Sequence, residues 1–133
     1  PVLSARLRKA LPLSDLDEAA FFDFIILHEL VHAAVSQMDT DSRVSQLEDE
    51  YIASAISVDA LPRAARGKLV SLRGYDRPVR KVELTQQFLR LDPTGFGILA
   101  WLHFSTPGNG CAFIARLMNG SSDLLDRRMF DHP

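Results

Sequence analysis

Phe21-Phe22-Asp23-Phe24-Ile25-Ile26-Leu27-His28-Glu29-Leu30-Val31-His32-Ala33-Ala34-Val35 is the stretch that decides the fold. It is the longest apolar run in the chain and is interrupted only by Asp23, His28, Glu29 and His32. Ser14 precedes it as an N-cap, with Asp15, Asp17 and Glu18 in the first turn, where the helix dipole favours anions. The pattern predicts a helix from that cap to about Met38. Because the run is apolar almost all round, it is expected to be the buried central helix. Within it, His28 and His32 lie one turn apart on one face, with Glu29 beside the first. Two imidazoles at that spacing with an adjacent carboxylate form the pattern of a zinc site whose glutamate activates water.

The surroundings argue for the same chemistry. An unpaired carboxylate in an apolar environment costs several kcal/mol, and unpaired imidazoles add to that. Such groups persist where something pairs with them, and an ion with its water would satisfy all three. Leu27, Leu30, Val31, Ala33 and Ala34 are uncharged, as a buried ligand helix requires. The plainer alternative is a helix with two hydrogen-bonded core histidines and a partly exposed glutamate.

Downstream, Asp39-Thr40-Asp41-Ser42 reads as a turn. A second helix is expected over 43–61, stopped by Pro62. A third covers 63–72, ended by Gly74, although 68–72 could instead be extended. Pro78 suits the first turn of a fourth helix over 79–91. Asp92-Pro93 opens a fifth, reaching about Phe104 and softened by Gly95 and Gly97. The segment 106–110 is a loop. A sixth helix covers 111–118, stopped by Asn119-Gly120, and Ser121-Ser122-Asp123 could cap a short last one. Strand signals are thin, and residues 1–7 are the other stretch that could be extended. The expected organisation is one domain over 1–133: an N-terminal arm (1–13), a metal-binding helical hairpin (14–62) and a helical remainder (63–133).

A zinc site with an open position needs a third protein ligand. A third histidine farther along the same helix would need a glycine before it, and Val35 and Met38 occupy those positions. The remaining source is the next helix, packed antiparallel on the first, where Glu48-Asp49-Glu50-Tyr51-Ile52-Ala53-Ser54 stands. Here the sequence resembles the gluzincin type of zinc metallopeptidase, in which HExxH is followed on a later helix by a glutamate in an E-x-x-A-D or E-x-x-A-N setting. Glu50-Tyr51-Ile52-Ala53-Ser54 matches through the alanine. The resemblance covers 14–62 and implies Glu50 as the third ligand. It departs at Ser54, where those families place an acid or amide that supports a histidine; Asp23, Asp49 or Asp59 could take that part for His28. The helical wheel votes differently. Val44, Leu47, Tyr51, Ala55 and Val58 define the apolar arc of the second helix; Glu48 lies inside it and Glu50 at its edge. Glu50 is taken as the ligand, since a group reaching across a hairpin can sit at the rim, and Glu48 remains the alternative. The implied architecture is mainly α: a small zincin-like helical domain with its metal site on a hairpin and little or no β-sheet.

In this reading His28, His32 and Glu50 hold Zn2+, and Glu29 is the general base acting on a peptide or protein substrate. A second electrophile for the developing oxyanion could be His103, Tyr75 or Tyr51; His103 is the one assigned, although a core histidine is the plainer account of it. The expected function is a zinc-dependent metallopeptidase-like hydrolase. The alternative is a non-catalytic helical binding or regulatory module with a structural or vestigial metal site.

Composition sets bounds. With 133 residues, 47% of them hydrophobic, and a net charge of −2, the chain is expected to be globular. No basic stripe points to nucleic acid and no basic amphipathic helix to a membrane surface, and the apolar run falls short of the ~20 residues a bilayer needs. A single cysteine, Cys111, excludes an internal disulfide framework. No signal-peptide pattern is visible. A chain beginning at Pro1 is nonetheless compatible with a removed leader, and so with a soluble secreted or periplasmic protein. Oligomeric state is not legible.

Overall fold

The computed structural model describes residues 16–75 and 77–124. Six α-helices account for most of them: α1 (Glu18–Met38), α2 (Gln46–Ala60), α3 (Arg63–Arg73), α4 (Gln86–Leu91), α5 (Pro93–Phe104) and α6 (Gly110–Met118). One 3-10 turn (Lys81–Glu83) is added, and no strand occurs among the described residues. The mainly helical expectation holds. The arm at 1–13, the Ser14 cap and any helix after Asp123 lie outside the described residues.

Local chemistry explains most of the boundaries. Asp17 caps α1 by accepting the Ala20 N–H at 2.9 Å. Ser45 and Glu48 form a reciprocal capping box on α2, which therefore starts three residues later than position 43. Gly74 ends α3 in the left-handed region (φ 64°), so 68–72 are helical and not extended. The fourth helix expected over 79–91 is broken. Val79 and Leu84 must both be buried, and the Thr85 hydroxyl takes the Phe88 N–H at 3.1 Å, starting α4 afresh at Gln86. The fifth and sixth helices fall within a residue of their expected ends.

The largest difference concerns which helix is central. In α1 only Ala20, Phe21, Val31 and Val35 are buried, four of 21 residues. In α2 nine of 15 are buried, because α2 packs against α1 on one side and α5 on the other. Phe22, Ile26, Leu30 and Met38 of α1 are exposed. Apolar composition all round therefore overstated the burial of α1, since only one of its faces has a described neighbour. By length and composition α1 is also long and apolar enough to cross a membrane, with its two extra turns beyond the run 21–35 supplying the length.

The core has two parts. Tyr51, Leu47, Ile52, Phe96 and Phe113 anchor one, and Phe21, Leu61, Leu69 and Ile98 the other. Phe96 and Ile98, two residues apart on α5, serve different parts, so α5 lies between them. Small residues let α2 and α5 approach closely. A Cβ on Gly97 would sit 3.4 Å from Ser54. Gly95 is tighter still: a Cβ there would stand 2.3 Å from Asp92 Oδ2. Asp92 caps α5 through the Gly95 N–H (2.9 Å) and also pairs with Arg73. Gly→Ala in a helix normally gains about 1 kcal/mol. At Gly95 the carboxylate must swing away, and cap loss is worth about 1 kcal/mol or more. The two effects offset, so Gly95→Ala is expected to show none of the usual gain of about 1 kcal/mol in urea unfolding, and a full gain would show that the cap has room.

Candidate metal centre

The α1–α2 hairpin is closed by Asp39. Its carboxylate accepts the Arg43 N–H (2.8 Å) and the Val44 N–H (2.9 Å), while Ser42 turns the chain in the left-handed region (φ 52°). The two helices run antiparallel, so His32 meets the start of α2 and His28 a point farther along it.

This register brings His28, His32 and Glu50 together. Their facing ligand atoms are His28 Nε2, His32 Nε2 and Glu50 Oε2, separated by 3.1 Å, 3.6 Å and 3.8 Å. A triangle with those sides is circumscribed by a circle of radius about 2.0 Å, the length of a zinc–nitrogen bond. One point can therefore lie at bonding distance from all three atoms without moving the helices, and the three could hold a metal ion. The rings are set edge to face, 4.6 Å apart at 86°, and Phe24 stacks on His28 from the turn before. The side chains are 18% (His28), 22% (His32) and 30% (Glu50) exposed, so the cluster is sheltered yet open to solvent. The Glu50 carboxyl is held below the usual carboxylate range. Hydrogen bonding to His28 is the chief cause; burial opposes it, and the charges available on His32 and His28 add to the lowering. Glu50 thus stays anionic, as a ligand must.

The two glutamates have different surroundings. Glu48 is 1% exposed, as its position within the apolar arc requires. Its oxygens are spent on backbone, accepting the Ser45 N–H at 2.7 Å and the Leu124 N–H at 3.1 Å. It ties the chain near Leu124 to the start of α2 and is absent from the cluster.

Support for the histidines also differs from expectation. Ser54 packs against Gly97 on the far side of α2. Asp23 is exposed, and Asp59 accepts the Trp101 Nε1–H and binds Arg66. Asp49 is the carboxylate that does reach a histidine, but it reaches His32 and not His28: Nδ1 donates to Asp49 Oδ2 at 2.8 Å. His28 Nδ1 is buried without a hydrogen-bond partner. The antiparallel register was the available signal, because it pairs the later histidine with the earlier residue of α2.

Glu29 is exposed on the next position of α1 and makes no hydrogen bond or ion pair with any described residue. His103 is elsewhere. It is 6% exposed, enclosed by Tyr51 and Phe113, and its ring nitrogens face the Tyr51 hydroxyl (2.8 Å) and the Asn109 amide (3.4 Å). Both nitrogens face partners in the core, which is the plainer of the two accounts of this residue; Tyr51, 0% exposed, lies in the same core. Burial lowers the His103 pKa, with the charge of Lys81 adding to it. The unfolded chain then binds a proton at the ordinary value of about 6.5 that the folded chain refuses, so stability should fall as pH drops below that value. Melting metal-free protein from pH 7.5 to 5.5 should show a steeper loss than in His103→Gln; parallel curves would remove His103 from the acid response. Two surface clefts lie apart from the cluster, one lined by Tyr75, Leu102 and Thr106, the other by Asp41, Asn119 and Asp123.

Fold and site together define a small, mainly helical protein in which an HExxH helix and its hairpin partner present two imidazoles and one carboxylate to a common point. The chain belongs to a family of unknown function (DUF6639), whose model matches residues 1–127. No curated protein and no solved structure matches it.

Proposed function

We propose that this chain is a zinc-dependent hydrolase of the metallopeptidase type, with His28, His32 and Glu50 as ligands and Glu29 as general base. The observation that carries the reading is the triangle of ligand atoms whose common point stands at bonding distance from each. Two neutral imidazoles with a single carboxylate would leave a bound divalent ion net positive charge, which acidifies water toward a pKa of ~7 and polarises a carbonyl. The chain's own residues do the rest. His28 and His32 fix the position from α1, and Glu50 contributes the balancing charge from α2. Glu29, exposed and without a competing partner among the described residues, accepts a proton from water and returns it to the leaving amine.

Zinc fits this donor set better than magnesium or calcium, which prefer all-oxygen shells. The resemblance to gluzincins supports a peptide bond as the target. The ligands come from both arms of the hairpin, so an ion would also cross-link α1 to α2. This favours the second reading, a structural ion in a binding module, as the competitor. One experiment separates them: elemental analysis of protein purified without chelator, followed by cleavage of a fluorogenic peptide library with and without 1,10-phenanthroline. About one zinc per chain and inhibitable cleavage support the hydrolase. Zinc with no cleavage supports the structural ion, and no zinc removes both.

A further inference from the structure

Resting on the metal reading above, we infer that Asp49 is the positioning residue of the centre: it sets the tautomer of His32 before any ion arrives, making His32 the preset ligand and His28 the one that must adjust. A carboxylate can only accept, so the 2.8 Å contact requires a proton on His32 Nδ1. A neutral ring protonated there carries its lone pair on Nε2, the atom directed at the common point. The neighbouring contact follows from it. His28 Nε2 faces His32 Nε2 at 3.1 Å, and two nitrogens at that distance need one proton between them. Since His32 offers the lone pair, His28 Nε2 holds the proton, which faces both His32 Nε2 (3.1 Å) and Glu50 Oε2 (3.6 Å). His28 is thus in the opposite tautomer, with its ligating atom protonated and its Nδ1 buried without a partner.

Ion uptake then asks different things of the two rings. His32 binds as it stands. His28 must give up its Nε2 proton before that atom can bind. Asp49 has no competing side-chain partner among the described residues. Its other oxygen is buried without a partner, and its place in α2 is already secured by the backbone bond from its N–H to the Ser45 carbonyl at 2.9 Å. A carboxylate retained on the hairpin with a single hydrogen bond, to a ligand histidine, has the geometry of an outer partner that raises ligand basicity and fixes ring orientation.

The test uses the whole chain and zinc ion alone. In chelator-treated, 15N-labelled protein, long-range proton–nitrogen spectra should show His32 protonated on Nδ1 and His28 on Nε2. Asp49→Ala should release His32 from the single Nδ1–H form and weaken zinc binding about 10–100-fold. Asp49→Asn, whose amide oxygen still accepts, should keep the tautomer and recover part of the affinity. Circular dichroism establishes that the variants are folded; should the alanine variant fail to fold, the wild-type tautomers and the asparagine variant still decide. His32 protonated on Nε2 in the wild type overturns the inference, as does folded Asp49→Ala binding zinc within twofold of wild type. So does Asp49→Asn that loses the tautomer yet binds zinc as tightly as wild type. A wild-type chain with the stated tautomers that takes up no zinc overturns the metal reading itself and reduces Asp49 to a structural partner of His32.

Discussion

Glu29→Gln should reduce zinc-dependent cleavage of a peptide library by 10²–10⁴-fold while leaving the zinc content of the protein unchanged. The amide keeps the size and exposure of Glu29 but cannot take a proton from water. Glu29 has no hydrogen bond or ion pair with a described residue to lose, and it is not one of the three clustered ligand atoms, so neither fold nor ion affinity should respond. The measurement pairs initial rates with elemental analysis on the same sample. Cleavage at the wild-type rate would show that another group moves the proton. Loss of zinc from the variant would show that Glu29 holds the ion and that the ligand set is misassigned.

The second large effect concerns stability. His32→Ala should eliminate zinc binding at micromolar metal and, with it, the rise in melting temperature that zinc gives the wild type. An ion that binds only the folded chain stabilises it by about 2.7 kcal/mol at a hundred times its dissociation constant. For a domain of this size that corresponds to roughly 10 °C. The effect should be this direct because the ligands sit on both arms of the hairpin, so unfolding α1 from α2 dismantles the site. Calorimetry with and without zinc gives the shift. An equal rise in wild type and His32→Ala would place the stabilising ion elsewhere. A rise confined to wild type, with no cleavage of any library member, would favour the binding module over the enzyme.

Much of this was legible because it is local. The caps of α5 and the stop at Gly74 lie within a few residues of the groups they satisfy, and the fifth and sixth helices therefore fall close to their expected bounds. The pairing of His28 and His32 follows from helix periodicity alone. Position 79–91 fails for a related reason: Thr85 offers a cap in the middle of an otherwise helical pattern, and the burial of Val79 and Leu84 decides in favour of using it. His103 shows the opposite limit. Its residue type suits catalysis, but only the packing of Tyr51, Phe113 and Asn109 around it reveals that both its nitrogens are occupied.

The sequence by itself determined a mainly helical chain, a histidine pair one turn apart, and an acidic turn on the following helix from which a third ligand could come. Only the tertiary structure decided that Glu50 faces the histidines while Glu48 is sealed against backbone, that Asp49 serves His32, and that α2 rather than α1 lies at the centre. The reason is physical. Helix periodicity fixes which residues share a face of one element, but the register between two helices is set by how their side chains and closing turn fit together. A shift of one residue in that register would bring a different acid to the same pair of rings.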